Sequence, residues 1–228
     1  MIESVEVIGA RGRVGRAVSA RLAECGLGPS GRRSDVVLLC VPDRAIAEVA
    51  AEIEPGPWVA HVSGGTPLAA LAPHVRRFSL HPLQSFTLDR GAEQLDGAWA
   101  AVSGESDDAL AVATSLAEVL GLRPFTLADE RRALYHAGAA IASNYLVTLR
   151  RAAGELLAGA EVPPEALDPL MRRVIENGFQ LTGPIERGDW ETVERHRAAI
   201  AEHAPELLES YDALARLTRV EVEQGAPA

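Results

Sequence analysis

The apolar run Val5–Ile8 is followed at once by glycines at positions 9, 12 and 15, and this restricts the fold more than any other stretch. In a strand–turn–helix unit, glycines at this spacing allow a tight turn, close approach of phosphate to the backbone, and close packing of helix on strand. The free N–H groups and the dipole at the start of the helix then favour an anion. A nucleotide-binding unit of this kind ordinarily continues to a second strand ending in a ribose-binding acid, about 20 residues on. Here only eight residues, 27–34, separate Gly26 from Asp35, where the next strand begins. Eight residues reach at most about 26–29 Å, too little for an extra strand and helix. The chain is therefore predicted to cross directly to the strand on the other side of the first. That leaves the first strand as a sheet edge, with no shelf for a nucleoside.

Strand and helix signals alternate after this point. Strands are predicted at 36–41, 58–62, 77–80, 99–102 and 122–127, with helices at 14–25, at 43–53, after Thr66-Pro67, and from Ser106 to Gly121. Repeated β-α units imply a mainly parallel sheet with right-handed crossovers. From 128 onward the strand signals cease, and helices are predicted at 128–160, 164–181, 190–203 and 205–222. The expected organisation is an α/β domain over 1–127 and an all-helical domain over 128–228.

Charge narrows the chemistry. The net charge of −10 argues against general nucleic-acid binding. Between Gly9 and Arg33, however, six arginines face one acid, Glu24, so this piece carries +5 and the remainder −15. A locally basic end on an acidic protein suits a small anionic ligand. All 22 basic residues are arginine. The absence of lysine excludes a Schiff-base lysine, a P-loop lysine and a pyridoxal-phosphate anchor. The N-terminus shows no secretory pattern, and the most apolar run, 133–149, is interrupted by Tyr135, His136, Asn144 and Tyr145. It reads as a buried helix rather than a membrane span, and a cytoplasmic protein is expected. Cys25 and Cys40 read as inert thiols, and His196 and His203 lack a third partner, so no metal site is expected.

Ligands of open α/β sheets bind beyond the carboxyl ends of the strands. "HVSGG" places Ser63, Gly64 and Gly65 in such a loop, "LHPLQSF" places His81 and Gln84 there, and Val41 and Pro42 follow the second strand. On the long helix, His136, Ala140 and Asn144 share a face at i, i+4, i+8, beside small residues that permit close approach. His81 and His136 are the candidates for acid–base work, since imidazole titrates near neutrality. Ser63 and Asn144 are expected to orient the substrate, with Gln84, Tyr135 and Arg187 around it and Asp189 capping the following helix. Gly9, Arg11, Gly12, Arg13, Val14 and Gly15 are the candidates for a diphosphate. Arg32 and Arg33 are placed to meet a 2′-phosphate, which would select NADP over NAD.

Six stretches, "IGARGRVG" (8–15), "DVVLLCVPD" (35–43), "HVSGGTPL" (61–68), "LHPLQSF" (80–86), "LYHAGAAIASNYLVTL" (134–149) and "LTGPIERGD" (181–189), together resemble a family of bacterial Rossmann-like proteins with a helical C-terminal domain. The group includes 6-phosphogluconate dehydrogenase, ketopantoate reductase and pyrroline-5-carboxylate reductase. The resemblance implies a truncated Rossmann-like sheet, an NAD(P)-linked oxidoreductase acting on a small C=O or C=N substrate, and a homodimer formed through the helical domain. The His81-Pro82 pair also looks like prephenate dehydrogenases, where a histidine engages the substrate hydroxyl. Three departures stand out: an extra arginine in the glycine turn, the short bypass at 27–34, and Ala140 where related dehydrogenases carry a lysine. Two other functions stay open: a cofactor-independent proton-transfer enzyme of isomerase or dehydratase type, and a non-catalytic ligand-binding protein.

Overall fold

The computed structural model describes residues 2–29 and 34–225. Arg32 and Arg33 lie outside the described residues. The chain divides into two compact units, Met1–Ser143 and Asn144–Ala228.

In the first unit six strands form one sheet in the order β1-β2-β3-β4-β5-β6. They are β1 (Val5–Ile8), β2 (Val36–Leu39), β3 (Trp58–His61), β4 (Arg77–Pro82), β5 (Trp99–Gly104) and β6 (Arg123–Thr126). The first four strands are parallel; β5 runs antiparallel to β4, and β6 parallel to β5. This is the α/β Rossmann-like architecture, with β1 paired to β2 alone among the described residues. The longest parallel crossovers carry α1 (Arg13–Glu24) and α2 (Ile46–Ala51), and α3 (Asp107–Val119) joins β5 to β6.

Side-chain alternation along the strands divides the core in two. Val36 and Leu38 of β2 pack with Phe78, Leu80, Ala17, Leu22 and Leu116, under α1 and α3. Their alternates Val37 and Leu39 pack with Val59, Ile46, Ala50 and Leu71, under α2. All four residues of β2 are buried, as a strand covered on both faces requires. Ser106 caps α3 by accepting the N–H of Ala109.

The glycine turn is held by sterics before any ligand is considered. Gly9 has φ +93°, and a Cβ there would stand 2.8 Å from the carbonyl carbon of Cys40. A Cβ on Gly15 would stand 2.8 Å from the carbonyl carbon of Gly9, where α1 crosses the turn. Alanine at either position is expected to cost about 1–3 kcal/mol by overpacking, with Gly9→Ala the worse of the two because of its φ. Urea midpoints of the two variants, compared with an exposed control such as Arg44→Ala, measure this directly.

The region 128–160 is not one helix. It comprises a 3-10 turn (Asp129–Arg131), α4 (Arg132–Ala140), a π-type turn (Ile141–Tyr145) and α5 (Leu146–Gly159). The Ser143 hydroxyl donates to the Ala139 carbonyl at 2.7 Å, a back-bond of the kind that loosens a helical ladder. The second unit continues with α6 (Leu167–Glu176), α7 (Trp190–His203) and α8 (Leu208–Gln224). α6 stops short of the expected 181 because Gly178 and Phe179 turn to positive φ. Asp189 caps α7 through the Thr192 N–H at 3.1 Å, and Arg197 joins α7 to α8 by a two-pronged pair with Asp212 at 2.8 and 3.0 Å. Among the described residues no helix is long and apolar enough to cross a membrane.

Candidate functional site

Register brings a polar row into an otherwise apolar sheet. His61 of β3 pairs with Ser79 of β4, which pairs with Ser103 of β5. These three share the α2 side of the sheet, and His81 projects from that side two residues further along β4. His61, Ser79 and Ser103 are all buried.

Arg132, at the start of α4, engages the two serines of this row and is itself only 2% exposed, while His61 Nδ1 accepts the Ser63 N–H at 3.2 Å. Its guanidinium donates to Asp129 Oδ1 (2.9 Å), the Ser63 carbonyl (3.1 Å), Ser79 Oγ (2.6 Å) and Ser103 Oγ (2.9 Å). Asp129 in turn accepts the Leu68 N–H with both oxygens at 3.2 Å. A planar fork with several fixed donors can join this many elements at once. One buried cation therefore ties the turns after β3 and β6 to the middle of β4 and β5.

The loop after β3 is fixed a second time. Ser63 Oγ donates to Asp43 Oδ2 at 2.7 Å and lies 2.9 Å from Thr66 Oγ1. It also accepts the N–H groups of Gly65 (3.2 Å) and Thr66 (2.9 Å). The hydroxyl is thus fully engaged in shaping its own turn. Asp43 reaches it from just past Val41 and Pro42, so the loops after β2 and β3 are tied together.

Two imidazoles stand over that turn. His81 Nδ1 is 2.7 Å from the Tyr135 hydroxyl, and the two rings meet edge to face at 5.5 Å. The His136 ring is 6.1 Å away at 88°. Gly64 makes room for both: a Cβ there would lie 2.9 Å from His81 Nε2 and 2.8 Å from His136 Cδ2. A Cβ on Gly65 would lie 3.1 Å from His136 Nδ1. Burial pushes His81 down from 6.5 to about 4, helped by the charges of His136 and Arg132 and opposed by Asp43. His61 is pushed to about 4 by burial and then by Arg132, against Asp43 and Asp129. Burial raises the Tyr135 phenol to about 12. At neutral pH His81 and His61 are uncharged and Tyr135 keeps its proton.

At the end of β1, α1 begins at Gly12 with no side-chain cap and no acid in its first turn. The Gly12 N–H closes the turn onto the Gly9 carbonyl at 2.9 Å. Arg11 and Arg13 are exposed beside it, Val14 is half-buried, and Val41 Cγ1 would touch a Cβ on Gly9 at 3.3 Å. Small residues, open helix-start N–H groups and two arginines are what a diphosphate needs, so the turn fits that group.

Gln84 is exposed in the loop after β4, and its amide donates to the Gln94 carbonyl at 3.3 Å. Buried Gln94 holds the same loop through Thr87 and Gly91. Asn144 and Arg187 are exposed residues of the second unit. Cys25 is exposed rather than buried, whereas burial lifts Cys40 to about 12. Among the described residues no group of three or more His, Cys, Asp or Glu is placed to hold a metal. His61, Asp43, Asp129 and Arg132 complete the site and were not singled out from sequence. Polar residues set into the otherwise apolar strands "WVAH", "RFSLHP" and "AAVSG" are the signal that was there for the row.

A concavity of about 610 Å³ opens at the opposite end of the strands, between Asp35, Trp58, Arg76 and Val112, far along the sheet from the imidazoles.

A family model, "Domain of unknown function (DUF2520)", matches residues 98–218, more than half of the chain. No curated protein matches it. Among solved structures the chain is similar to protein TM1727 from Thermotoga maritima, with a TM-score of 0.81 and 26% identity over 98% of this chain and 100% of that one. It is similar to BF3122 from Bacteroides fragilis, a candidate NADP oxidoreductase, with a TM-score of 0.78 and 19% identity over 96% and 98% of the two chains. A reductive aminase from Aspergillus terreus, in complex with NADPH and ethyl levulinate, gives 0.64 and 20% over 99% and 95%.

Proposed function

The chain belongs to the DUF2520 family, and we propose that it is an NADP-dependent oxidoreductase acting on a small molecule with a C=O or C=N group. The observation that carries this is one end of the sheet, where the carboxyl ends of the parallel strands carry both a diphosphate-shaped turn after β1 and, beyond β3 and β4, a pair of imidazoles over a glycine. The NADP oxidoreductase and NADPH-bound aminase among the similar structures support it.

Gly9, Gly12 and Gly15, with Arg11, Arg13 and Val14, would hold the diphosphate, and Val41 and Pro42 would flank it. When bound, the nicotinamide supplies a hydride. His81 and His136 engage the substrate heteroatom, at neutral and exposed positions respectively. Ser63 acts through its turn: by fixing Gly64 and Gly65 it keeps the floor below both rings flat. Tyr135 and Gln84 are assigned to the substrate side in the first unit, and Asn144 and Arg187 are proposed for substrate binding by the second. The α/β domain over 1–127 would bind nucleotide and the helical domain over 128–228 would bind substrate and pair two copies. Exposed Leu170, Val174, Ile175 and Leu217 support such pairing.

NADPH added to the purified protein is expected to raise its melting temperature and alter nucleotide fluorescence. Saturation at a hundredfold excess over Kd would add about 2.7 kcal/mol to stability. Arg13→Ala is expected to weaken the effect. No response at millimolar NADPH would overturn the assignment. The edge position of β1 favours a second function, nucleotide-free proton transfer, which is distinguished by solvent deuterium entering a substrate with no cofactor added.

A further inference from the structure

We propose that Tyr135 is a positioning residue that donates its O–H to Nδ1 and so locks His81 in the tautomer presenting Nε2–H above Gly64. His81 is then the hydrogen-bond donor that orients and polarises the substrate heteroatom, and His136 is the group that delivers its proton. This division of roles rests on the function proposed above, but the tautomer itself is a property of the protein alone.

The geometry carries the assignment. At 2.7 Å, Tyr135 and His81 Nδ1 share one proton between two heavy atoms, and the phenol is the stronger acid of the pair. A phenol that donates to Nδ1 leaves the ring proton on Nε2. That atom belongs to the edge of His81 that a Cβ on Gly64 would strike, the same point at which the Cδ2 edge of His136 arrives. The two imidazole edges therefore converge on a space kept open by a missing side chain. Arg132 opposes a positive charge on His81, and so does His136; Asp43 alone favours one, and Tyr135 is uncharged. A ring held neutral polarises a carbonyl without transferring a proton, as a neutral histidine does in some isomerases. His136 is exposed and can exchange protons with water. In this role His136 would pass one proton to the substrate heteroatom and regain one from solvent.

The test is long-range ¹H–¹⁵N correlation of the histidine rings in the full-length ¹⁵N-labelled protein at pH 7, with His81 assigned from the spectrum of His81→Gln. The wild type is expected to show His81 as a single neutral Nε2–H tautomer. In Tyr135→Phe, which keeps the aromatic contact with Phe125 at 5.9 Å, the resonance is expected to shift toward a mixture of tautomers. A wild-type Nδ1–H tautomer, a protonated His81 at pH 7, or an unchanged His81 pattern in Tyr135→Phe would each overturn the proposal. NADPH binding by the same sample is scored separately. Failure to bind removes the oxidoreductase assignment and leaves the tautomer result standing.

Discussion

Replacing Arg132 with alanine is expected to destabilise the protein by about 2–4 kcal/mol, from a buried hydroxyl left without its donor and an ion pair broken to a half-buried Asp129. The guanidinium is almost wholly buried and makes four donor contacts, to Asp129, the Ser63 carbonyl, Ser79 and Ser103. Its loss leaves the Asp129 carboxylate with the Leu68 N–H, removes the donor to the buried Ser79 hydroxyl, and leaves Ser103 with its bond to the Leu127 carbonyl at 2.6 Å. Arg132→Lys should recover less than half of the loss, because one ammonium cannot span the turn after β3 and the middles of β4 and β5 together. Arg131→Ala, at the exposed neighbour, should stay within about 0.5 kcal/mol. Urea midpoints of the three variants decide the matter. A loss below about 1 kcal/mol for Arg132→Ala would show that the clasp contributes little. The same variant removes a charge that presses His81 and His61 toward neutrality, so both rings should titrate higher in it.

Arg132 also marks where sequence stops being informative. In "DERRALYH" it is one of four consecutive charges, and nothing local separates it from Arg131 or Glu130. Only the meeting of two strands and two turns makes one arginine structural and the next solvated. The glycine turn was legible because its requirements are local: a strand, a positive φ and a close helix. The edge position of β1 was legible because chain length forbids an intervening strand–helix pair in 27–34. His81 could be placed at the end of β4 because an apolar run ending in His-Pro fixes its own exit. His61 could not, although "HVSGG" contains it, since a histidine at a strand end shows its face only once the register with Ser79 is known. The break at Ile141–Tyr145 escaped for a related reason. Helical periodicity continues through it, and the Ser143 back-bond that disturbs the ladder has no signature in apolar spacing. The role of Ser63 likewise depends on Asp43, twenty residues away, which accepts a hydrogen bond from its hydroxyl.

Stability is expected to fall steeply as pH drops from about 6.5 to 4. His61 and His81 are both pushed from 6.5 to about 4 in the folded protein, first by burial and then by neighbouring positive charge. Between these values the unfolded chain binds protons that the folded chain refuses, so stability rises with pH across that window and is lost as pH falls through it. Each shift is worth about 3 kcal/mol at full effect, so the pair could remove on the order of 6 kcal/mol, comparable with the whole stability of a small domain. Carboxylates held below their usual range, among them Asp89, Glu93, Asp189 and Asp212, act with the same sign but only once pH approaches their unfolded values near 4. The stretch from 6.5 to 5 therefore belongs to the imidazoles. Asp43 and Asp129 oppose the effect at His61, and Asp43 does so at His81, which sets the pair's contribution below the sum of two isolated buried rings. Urea unfolding at half-unit pH steps should show this slope in the wild type and roughly half of it in His81→Gln. A wild-type curve that is flat between pH 6.5 and 5, or a His81→Gln curve of undiminished slope, would mean that the ring over Gly64 accepts a proton freely. It would then have to be protonated with His136 only 6.1 Å away, and the division of roles between the two rings would have no basis.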